Sequence, residues 1–228
     1  AALVADNPVD PALTRRLAEV RRDHAPLVFS RGSELYLIGP DGADEQLVTN
    51  SVPAAWPVWS PDRSRIAFIS AESITATGEG RLYVVGGDGT GLTEVATGVR
   101  AEGWPVWSPD GARIAYIGET AAAGEPNGVI RSVRYVDLAT RNVTNVTSGL
   151  IANPYSPTWS PTGDRLAVIS RRMGSETLAD PRYPLGEVYV VTIATGEIAK
   201  AAAGQFPDAR RVSWSPVSDD LLVFSRTD

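Results

Sequence analysis

Apolar residues in this chain occur in short blocks that recur at a regular spacing. The four clearest blocks are Ile66–Ile69, Ile114–Ile117, Leu166–Ile169 and Leu221–Phe224. Neighbouring positions in a block are both apolar, which indicates strands that are covered on both faces, as in sheets that stack face to face. A further strand is predicted after each of the first three blocks, at Leu82–Val85, Val133–Val136 and Val188–Val191. A last, weaker strand follows at Thr93–Ala96, Asn142–Val146 and Glu197–Lys200.

A Trp-Ser-Pro triplet precedes each apolar block. The four tryptophans are Trp59, Trp107, Trp159 and Trp214, at steps of 48, 52 and 55 residues. We expect them to be structural, with each indole N–H bonded inside its own blade. The triplet leads into a tight turn, because proline presets φ at the second position and glycine accepts positive φ at the fourth. Gly111 and Gly163 hold that fourth position, whereas Arg63 and Ser218 must tolerate strain or shift the turn.

Four antiparallel strands per period of about 50 residues predict the blades of a β-propeller, an all-β fold. The pattern Pro-x-Trp-Ser-Pro-Asp-Gly, then Ile-Ala-Phe/Tyr, then Leu-Tyr-Val-Val resembles the TolB-type propeller repeat over roughly residues 27–228. The resemblance implies a ring that usually has six blades. It also implies a setting either in the periplasmic Tol-Pal system or as a regulatory domain before a peptidase module.

The first and last repeat units are incomplete. Leu27–Ser30, Glu34–Ile38 and Gln46–Thr49 are predicted as second, third and fourth strands, and the last unit has only a first and a second strand. The sequence Leu27–Arg31 recurs unchanged 195 residues later. Because both ends supply the same strand, we expect about four to five blades of a longer propeller, or ends that pair with another chain. An irregularly closed ring of four or five blades is the alternative, and free blade edges favour self-association.

Residues 1–26 form a separate N-terminal segment. Asp10 before Pro11 is a typical helix start, and Leu13, Leu17 and Val20 lie at helical spacing, which predicts an amphipathic helix over residues 8–24. One interpretation is a helix docked on the propeller with its arginines in water. The other is a contact for an acidic partner or an anionic membrane surface.

Charge and composition exclude several classes of partner and of binding site. The net charge of −6 argues against a nucleic-acid binder, and the absence of cysteine excludes disulfides and zinc–thiolate sites. No apolar stretch reaches the length of about 18 residues that a transmembrane helix needs. A cysteine-free chain fits an exported bacterial protein, so we expect a periplasmic or extracellular location, although cytosolic proteins can lack cysteine too.

The sequence offers little catalytic chemistry. His24 is the single histidine, and neither a Gly-x-Ser-x-Gly nor a His-Glu-x-x-His motif occurs. The carboxylate pairs Glu72 with Glu79 and Glu119 with Glu125 could serve acid–base chemistry only at a separation that nothing in the sequence fixes. We therefore predict a protein that is not an enzyme, with no catalytic residue, metal ligand or cofactor.

Strand connectivity predicts that the short turns share one face of the propeller and the long connections share the other, which we name the long-loop face. Recognition commonly uses long loops on a rigid scaffold. The candidate partner-binding residues are Trp56, Trp104, Tyr155, Arg171, Arg172, Arg182 and Tyr183. Alternatively, the aromatic residues pack between blades and the arginines form a solvated rim.

Two functions are consistent with this pattern. The first is a non-catalytic scaffold that binds a protein or peptide through the long-loop face. The second is the accessory propeller of a prolyl-oligopeptidase-like hydrolase whose catalytic domain lies outside this chain.

Overall fold

The computed structural model describes residues 26–70, 80–100, 104–122, 129–147, 151, 154–171, 186–201, 211–215 and 218–225. All regular secondary structure in these ranges is β-strand, as the sequence predicted. No helix among the described residues is long and apolar enough to cross a membrane. The helix predicted over residues 8–24 lies outside the described residues. The segment boundary predicted at residue 26 coincides with the first described residue, so both stay predictions.

The strands form antiparallel sheets in which neighbours within a blade follow the order of the chain, and the pair of Val99 and Gly118 also joins the sheets of two neighbouring blades. Blade 1 contains β1 (Leu27–Arg31), β2 (Glu34–Ile38) and β3 (Gln46–Thr49). Blade 2 contains β4 (Ala54–Trp59), β5 (Arg65–Ser70), β6 (Gly80–Gly86) and β7 (Thr93–Val99). Blade 3 contains β8 (Val106–Trp107), β9 (Arg113–Ala121), β10 (Val129–Asp137) and β11 (Val143–Asn145). Blade 4 contains β12 (Pro154–Trp159), β13 (Arg165–Arg171), β14 (Gly186–Thr192) and β15 (Ile198–Lys200), and blade 5 contains β16 (Arg211–Ser215) and β17 (Ser218–Ser225).

Some strands extend into segments that the sequence predicted as connections, most clearly β4, β9 and β10. β9 and β10 continue into the connection expected at residues 119–131, where Glu119 pairs with Arg131 and Ala121 with Val129. β4 begins at Ala54, so that Trp56 lies inside a strand instead of in the preceding loop. Both differences have the same cause: backbone pairing extends a strand through polar or bulky positions that a search for apolar blocks reads as loop.

The core lies between the blades. The second strand of each complete blade is buried on both faces, and Ile66, Ala67, Phe68 and Ile69 are all 0% exposed. Ile66 and Phe68 pack on blade 1, whereas Ala67 and Ile69 pack on blade 3. This packing explains why the apolar blocks do not alternate with polar residues.

The repeat tryptophans join neighbouring blades, and the expectation of a partner inside the same blade is wrong. Trp107 Nε1 donates a hydrogen bond to the carbonyl oxygen of Val58 at 3.2 Å, and Trp159 Nε1 donates to that of Val106 at 3.1 Å. Each acceptor belongs to the first strand of the preceding blade, where the approach of the next sheet would otherwise leave a carbonyl without water or a partner.

An arginine completes each of these seams. Arg65 lies 5.0 Å from the ring centroid of Trp107, and Arg113 lies 4.8 Å from that of Trp159. Each also donates to a turn of the next blade, Arg65 to the carbonyl oxygen of Gly111 at 2.8 Å and Arg113 to that of Gly163 at 3.0 Å. Arg165 takes the same place 5.0 Å from the ring of Trp214. Sequence analysis missed these arginines, although each stands six residues after a repeat tryptophan.

Candidate functional site

The long-loop face is formed by one end of every strand hairpin. In blade 2, Ala54 at the start of β4 pairs with Ser70 at the end of β5, and Gly80 at the start of β6 pairs with Val99 at the end of β7. The Ser-Pro turns lie at the other end of the same strands. The strand ends that lead into the long connections and the Ser-Pro turns therefore lie on opposite faces.

Trp56 and Trp104 lie together on the long-loop face. Their rings stack with centroids 5.2 Å apart and planes inclined by 27°. Trp56 is 39% exposed and Trp104 is 52% exposed, so both rings keep a large surface in contact with water. They belong to neighbouring blades, since Trp56 is in β4 and Trp104 stands just before β8. The structure thus brings together two of the residues that the sequence singled out.

A bulge in β4 presents Trp56. The strand register shifts between Ala55 and Val58, and Trp56 has a φ of 56°. Positive φ is costly for a bulky residue, because its Cβ approaches the following carbonyl oxygen. The shift removes Trp56 from the regular alternation of β4 and leaves its side chain at the surface.

Tyr155 occupies a different environment. It pairs with Ile169, is partly buried and packs against the cluster that contains Val212 and Trp214. Ser156, with a φ of 50°, is the residue that stands where Trp56 stands in blade 2. Tyr155 is therefore not part of the exposed aromatic pair.

Of the four remaining candidate residues, only Arg171 lies within the described ranges. Arg171 ends β13, and its backbone pairs with Gly186. Arg172, Arg182 and Tyr183 lie outside the described residues. Their part in binding stays a prediction.

The long-loop face also carries an ionic cluster that sequence analysis did not predict. The side chain of Glu119 is 8% exposed and accepts hydrogen bonds from Arg100 and, at 3.0 Å, from Nε of Arg131. Arg100 follows β7, so the cluster joins blades 2 and 3. A buried carboxylate needs such partners, because removing a charge from water is costly unless that charge is paired. This arrangement gives Glu119 a structural role, and Glu72, Glu79 and Glu125 lie outside the described residues.

A cavity of about 290 Å³ lies at the opposite face. Its walls come from the ends of β8, β12 and β16 and the turns that follow, with Trp107, Trp159 and Trp214 and with Pro109 and Pro161. These tryptophans are between 5% and 8% exposed. Their indole N–H groups are bonded to backbone carbonyls, and the wall of the cavity also includes the polar residues Ser160, Ser213 and Ser215.

Within the described ranges, no group of three or more His, Cys, Asp or Glu side chains is placed to hold a metal ion. His24 lies before the first described residue.

Comparisons with solved structures identify the fold. No family model matches the sequence, and no curated protein matches it. Among solved structures, a protein assigned as TolB from Agrobacterium tumefaciens matches with a TM-score of 0.65 and 18% identity, over 87% of this chain and 65% of that one. TolB from Acinetobacter baumannii matches with a TM-score of 0.59 and 21% identity, over 84% of this chain and 44% of that one.

Enzymes are also among the similar structures. An oligogalacturonate lyase in complex with manganese matches with a TM-score of 0.59 and 19% identity, over 84% of this chain and 50% of that one. The β-propeller domain of a trilobed protease from Pyrococcus furiosus and two further peptidases match as well. The chain spans between 44% and 65% of the length of the two TolB proteins and the lyase. At these identities the likeness shows the fold alone, which is the β-propeller fold of TolB-like proteins.

Proposed function

We propose that this chain is a non-catalytic β-propeller scaffold that binds a protein or peptide through its long-loop face. The observation that carries the proposal is the stacked pair of Trp56 and Trp104, 39% and 52% exposed. Tryptophan is enriched among residues that dominate binding energies, because a partner that covers the ring removes a large apolar area from water. Two such rings held in a fixed stack also lose little side-chain entropy on binding.

The proposed partner is an extended segment with at least one large apolar side chain. Such a side chain can lie against the exposed indole faces. The cluster of Glu119, Arg100 and Arg131 adds charged groups to the same face, and interfaces commonly surround an apolar centre with a polar rim. A periplasmic or extracellular location is part of the proposal, and the likeness to TolB proteins supports it.

Peptides selected from a random displayed library provide a partner of known sequence for the test. We expect selected peptides to bind the Trp104→Ala variant about 30-fold more weakly, the loss that corresponds to about 2 kcal/mol for an aromatic hot spot. Trp56→Asn should weaken binding similarly. The measurement is the change in fluorescence polarisation of each labelled peptide on titration.

Val143→Ala is the matched control, because Val143 is 48% exposed and lies on the outer strand β11. It should change peptide affinity less than about twofold. Ser213→Arg places a large side chain beside the cavity on the opposite face. Peptides that lose affinity for Ser213→Arg but keep it for Trp104→Ala would assign binding to the cavity and contradict the proposal.

An accessory propeller domain of a hydrolase is the second candidate function. The likeness to propeller-bearing peptidases favours it. A Gly-x-Ser-x-Gly segment encoded in the same gene after this chain would support it. Turnover of oligogalacturonate or of peptides by the purified chain would contradict the non-catalytic part of both functions.

A further inference from the structure

Blade 3 departs from the other blades at one position of its third strand. In blades 1, 2 and 4 that position is a tyrosine, namely Tyr36, Tyr83 and Tyr189. The three hydroxyls all donate to a nearby carboxylate, which belongs to Glu34, Glu94 and Glu187 respectively. In blade 3 the position holds Arg134, which pairs with Tyr116. The equivalent pair in blade 2 is Phe68 and Tyr83. Of these four blades, blade 3 alone has a cation here.

A glycine makes room for this arginine. Ser70 and Ser170 stand eleven residues after their repeat tryptophans, and the same position in blade 3 is Gly118. A Cβ atom on Gly118 would lie 2.5 Å from both Cδ and Nε of Arg134. A side chain at position 118 would therefore displace the arginine. The two departures of blade 3 from the repeat touch each other, so Arg134 occupies a place that the blade provides for it.

Neutral groups hold the guanidinium of Arg134. Its Nε donates to the hydroxyl of Ser132 at 3.1 Å, and its Nη2 donates to the hydroxyl of Thr120. Within the described parts of the chain no carboxylate pairs with it. Nη1 has no partner in the same ranges and is not closed off from water. Because a guanidinium has five N–H donors, this arginine keeps an uncompensated charge and a free nitrogen for a ligand.

Arg134 lies at the same seam as the aromatic pair. Tyr116, its pair partner on β9, packs against blade 2, so the guanidinium stands on the side of blade 3 that faces blade 2. Ile130 pairs with Thr120 on that side and is 39% exposed. Trp104 stands just before β8, and β10 is the second strand outward from β8. At about 4.8 Å between strands, the segments that carry Trp104 and Arg134 are about 10 Å apart.

We propose that Arg134 binds a side-chain carboxylate of the partner segment, an aspartate or glutamate about three residues from the apolar side chain that covers Trp56 and Trp104. The inference rests on the proposed function, since it names a second feature of the same partner. The spacing follows from the rise of about 3.3 Å per residue in an extended chain. A guanidinium that is already held in place forms charge-assisted hydrogen bonds to a carboxylate with little loss of side-chain entropy.

Peptides selected on the natural chain from the displayed library are the probe for this test. We expect them to be enriched in aspartate or glutamate at the stated spacing. Each is synthesised with the acid and with the corresponding amide, and every peptide has an amidated C-terminus. Fluorescence polarisation should show that the natural chain binds the acid about tenfold more tightly than the amide. For Arg134→Gln the preference should fall below about twofold.

Two further variants separate the charge from its placement. Arg81→Gln is the matched control, because Arg81 lies near the long-loop end of blade 2 and its charge is already paired with Glu94. It should keep the full preference for the acid. Gly118→Ala keeps the charge of Arg134 but moves the side chain aside, so the preference should fall below about threefold. Circular dichroism establishes that the sheets of each variant are intact.

Failure of this inference can be told apart from failure of the proposed function. Peptides that lose affinity for Trp104→Ala, yet bind acid and amide forms equally on the natural chain, would overturn the role of Arg134 and leave the binding function in place. An acid preference that survives in Arg134→Gln would do the same. If no peptide is selected, or if Trp104→Ala binds as the natural chain does, both proposals fail together.

Discussion

Tyr116 shows at the scale of one residue how the repeats differ. It is 0% exposed on β9, and its hydroxyl finds no hydrogen-bond partner among the described residues. Burial raises the pKa of this hydroxyl to about 12. Phe68 holds the same position relative to the repeat tryptophan in blade 2 and packs there with no polar atom to satisfy. The buried hydroxyl of Tyr116 therefore lowers the stability of the folded protein.

Replacing Tyr116 by phenylalanine should raise the free energy of unfolding by about 1 kcal/mol, because it removes a buried donor that lacks a partner. The gain should grow above pH 10. The unfolded chain ionises this tyrosine near pH 10, whereas the folded chain does so only near pH 12, so the natural protein loses stability between the two values. Urea unfolding of both proteins at pH 7 and pH 11 measures the two effects. A destabilised variant at both pH values would show that the hydroxyl has a partner.

The strained residue Trp56 illustrates how far the sequence could predict the site. Ser156 takes the same positive φ in blade 4, so the bulge belongs to the fold, and the tryptophan is what distinguishes blade 2. The repeat could place Trp56 and Trp104 on one face. It could not predict their stacking, because the bulge changes which way the side chain points. Tyr155, one position before the bulged residue of blade 4, packs partly buried against the cluster with Val212 and Trp214, and its part in binding stays a prediction.

At the scale of elements, the turns after Trp59, Trp107 and Trp159 share one conformation, although the fourth turn residue is an arginine in the first and a glycine in the other two. Arg63 has a φ of 60°, close to the values of 67° for Gly111 and 73° for Gly163. The turn also keeps its hydrogen bond, from the backbone N–H of Arg63 to the carbonyl oxygen of Ser60 at 2.8 Å. Of the two alternatives that the sequence left open, strain and a shifted turn, the structure shows strain at Arg63, whereas Ser218 is the first residue of β17.

Exchanging arginine and glycine between the turns of blades 2 and 3 should change the free energy of unfolding in opposite directions. Arg63→Gly is expected to stabilise by about 0.5–1 kcal/mol, since glycine adopts positive φ without a Cβ clash. Gly111→Arg should destabilise by at least as much, because it introduces that clash in blade 3. Chemical denaturation of both variants provides the comparison. If Arg63→Gly is the less stable protein, contacts of the arginine side chain outweigh the backbone strain.

The sequence predicted the strands well because both faces of the second strand are buried in each complete blade, which produces clear apolar blocks. The seam arginines were harder to predict. Arg65, Arg113 and Arg165 stand at the polar margins of those blocks, where charged residues normally face water. Their role depends on a ring in the next blade, about 50 residues away, and only the packed structure brings the two together.

The whole molecule is held by repeated contacts between neighbouring blades. In such an array each unit contacts only its neighbours, so stability is close to a sum of blade and seam contributions. The seam between blades 3 and 4 is well defined. Arg113 lies over Trp159 and donates to Gly163, and the same tryptophan donates to Val106.

We expect Arg113→Ala to lower the free energy of unfolding by about 2 kcal/mol, combining a cation–π contact with a hydrogen bond from a charged donor. Arg113→Lys should recover only part of this loss, because lysine keeps the charge but lacks the planar donor group. Arg81→Ala is the control: the Arg81 side chain is 58% exposed and its guanidinium donates to Glu94 at the surface, which predicts a loss of less than about 0.5 kcal/mol. Urea denaturation distinguishes these outcomes, and equal losses for Arg113→Ala and Arg81→Ala would refute the role of the seam.

Each complete seam takes its arginine from the earlier blade and its tryptophan from the later one, so the contact has a direction along the chain. Blades 3 and 4 consequently each carry one half of the seam behind them and one half of the seam ahead. Duplicating or deleting a single unit in the gene would rejoin matching halves and restore a working junction at once. A propeller with such seams can change its number of blades in one genetic step, because the new junction needs no further substitutions.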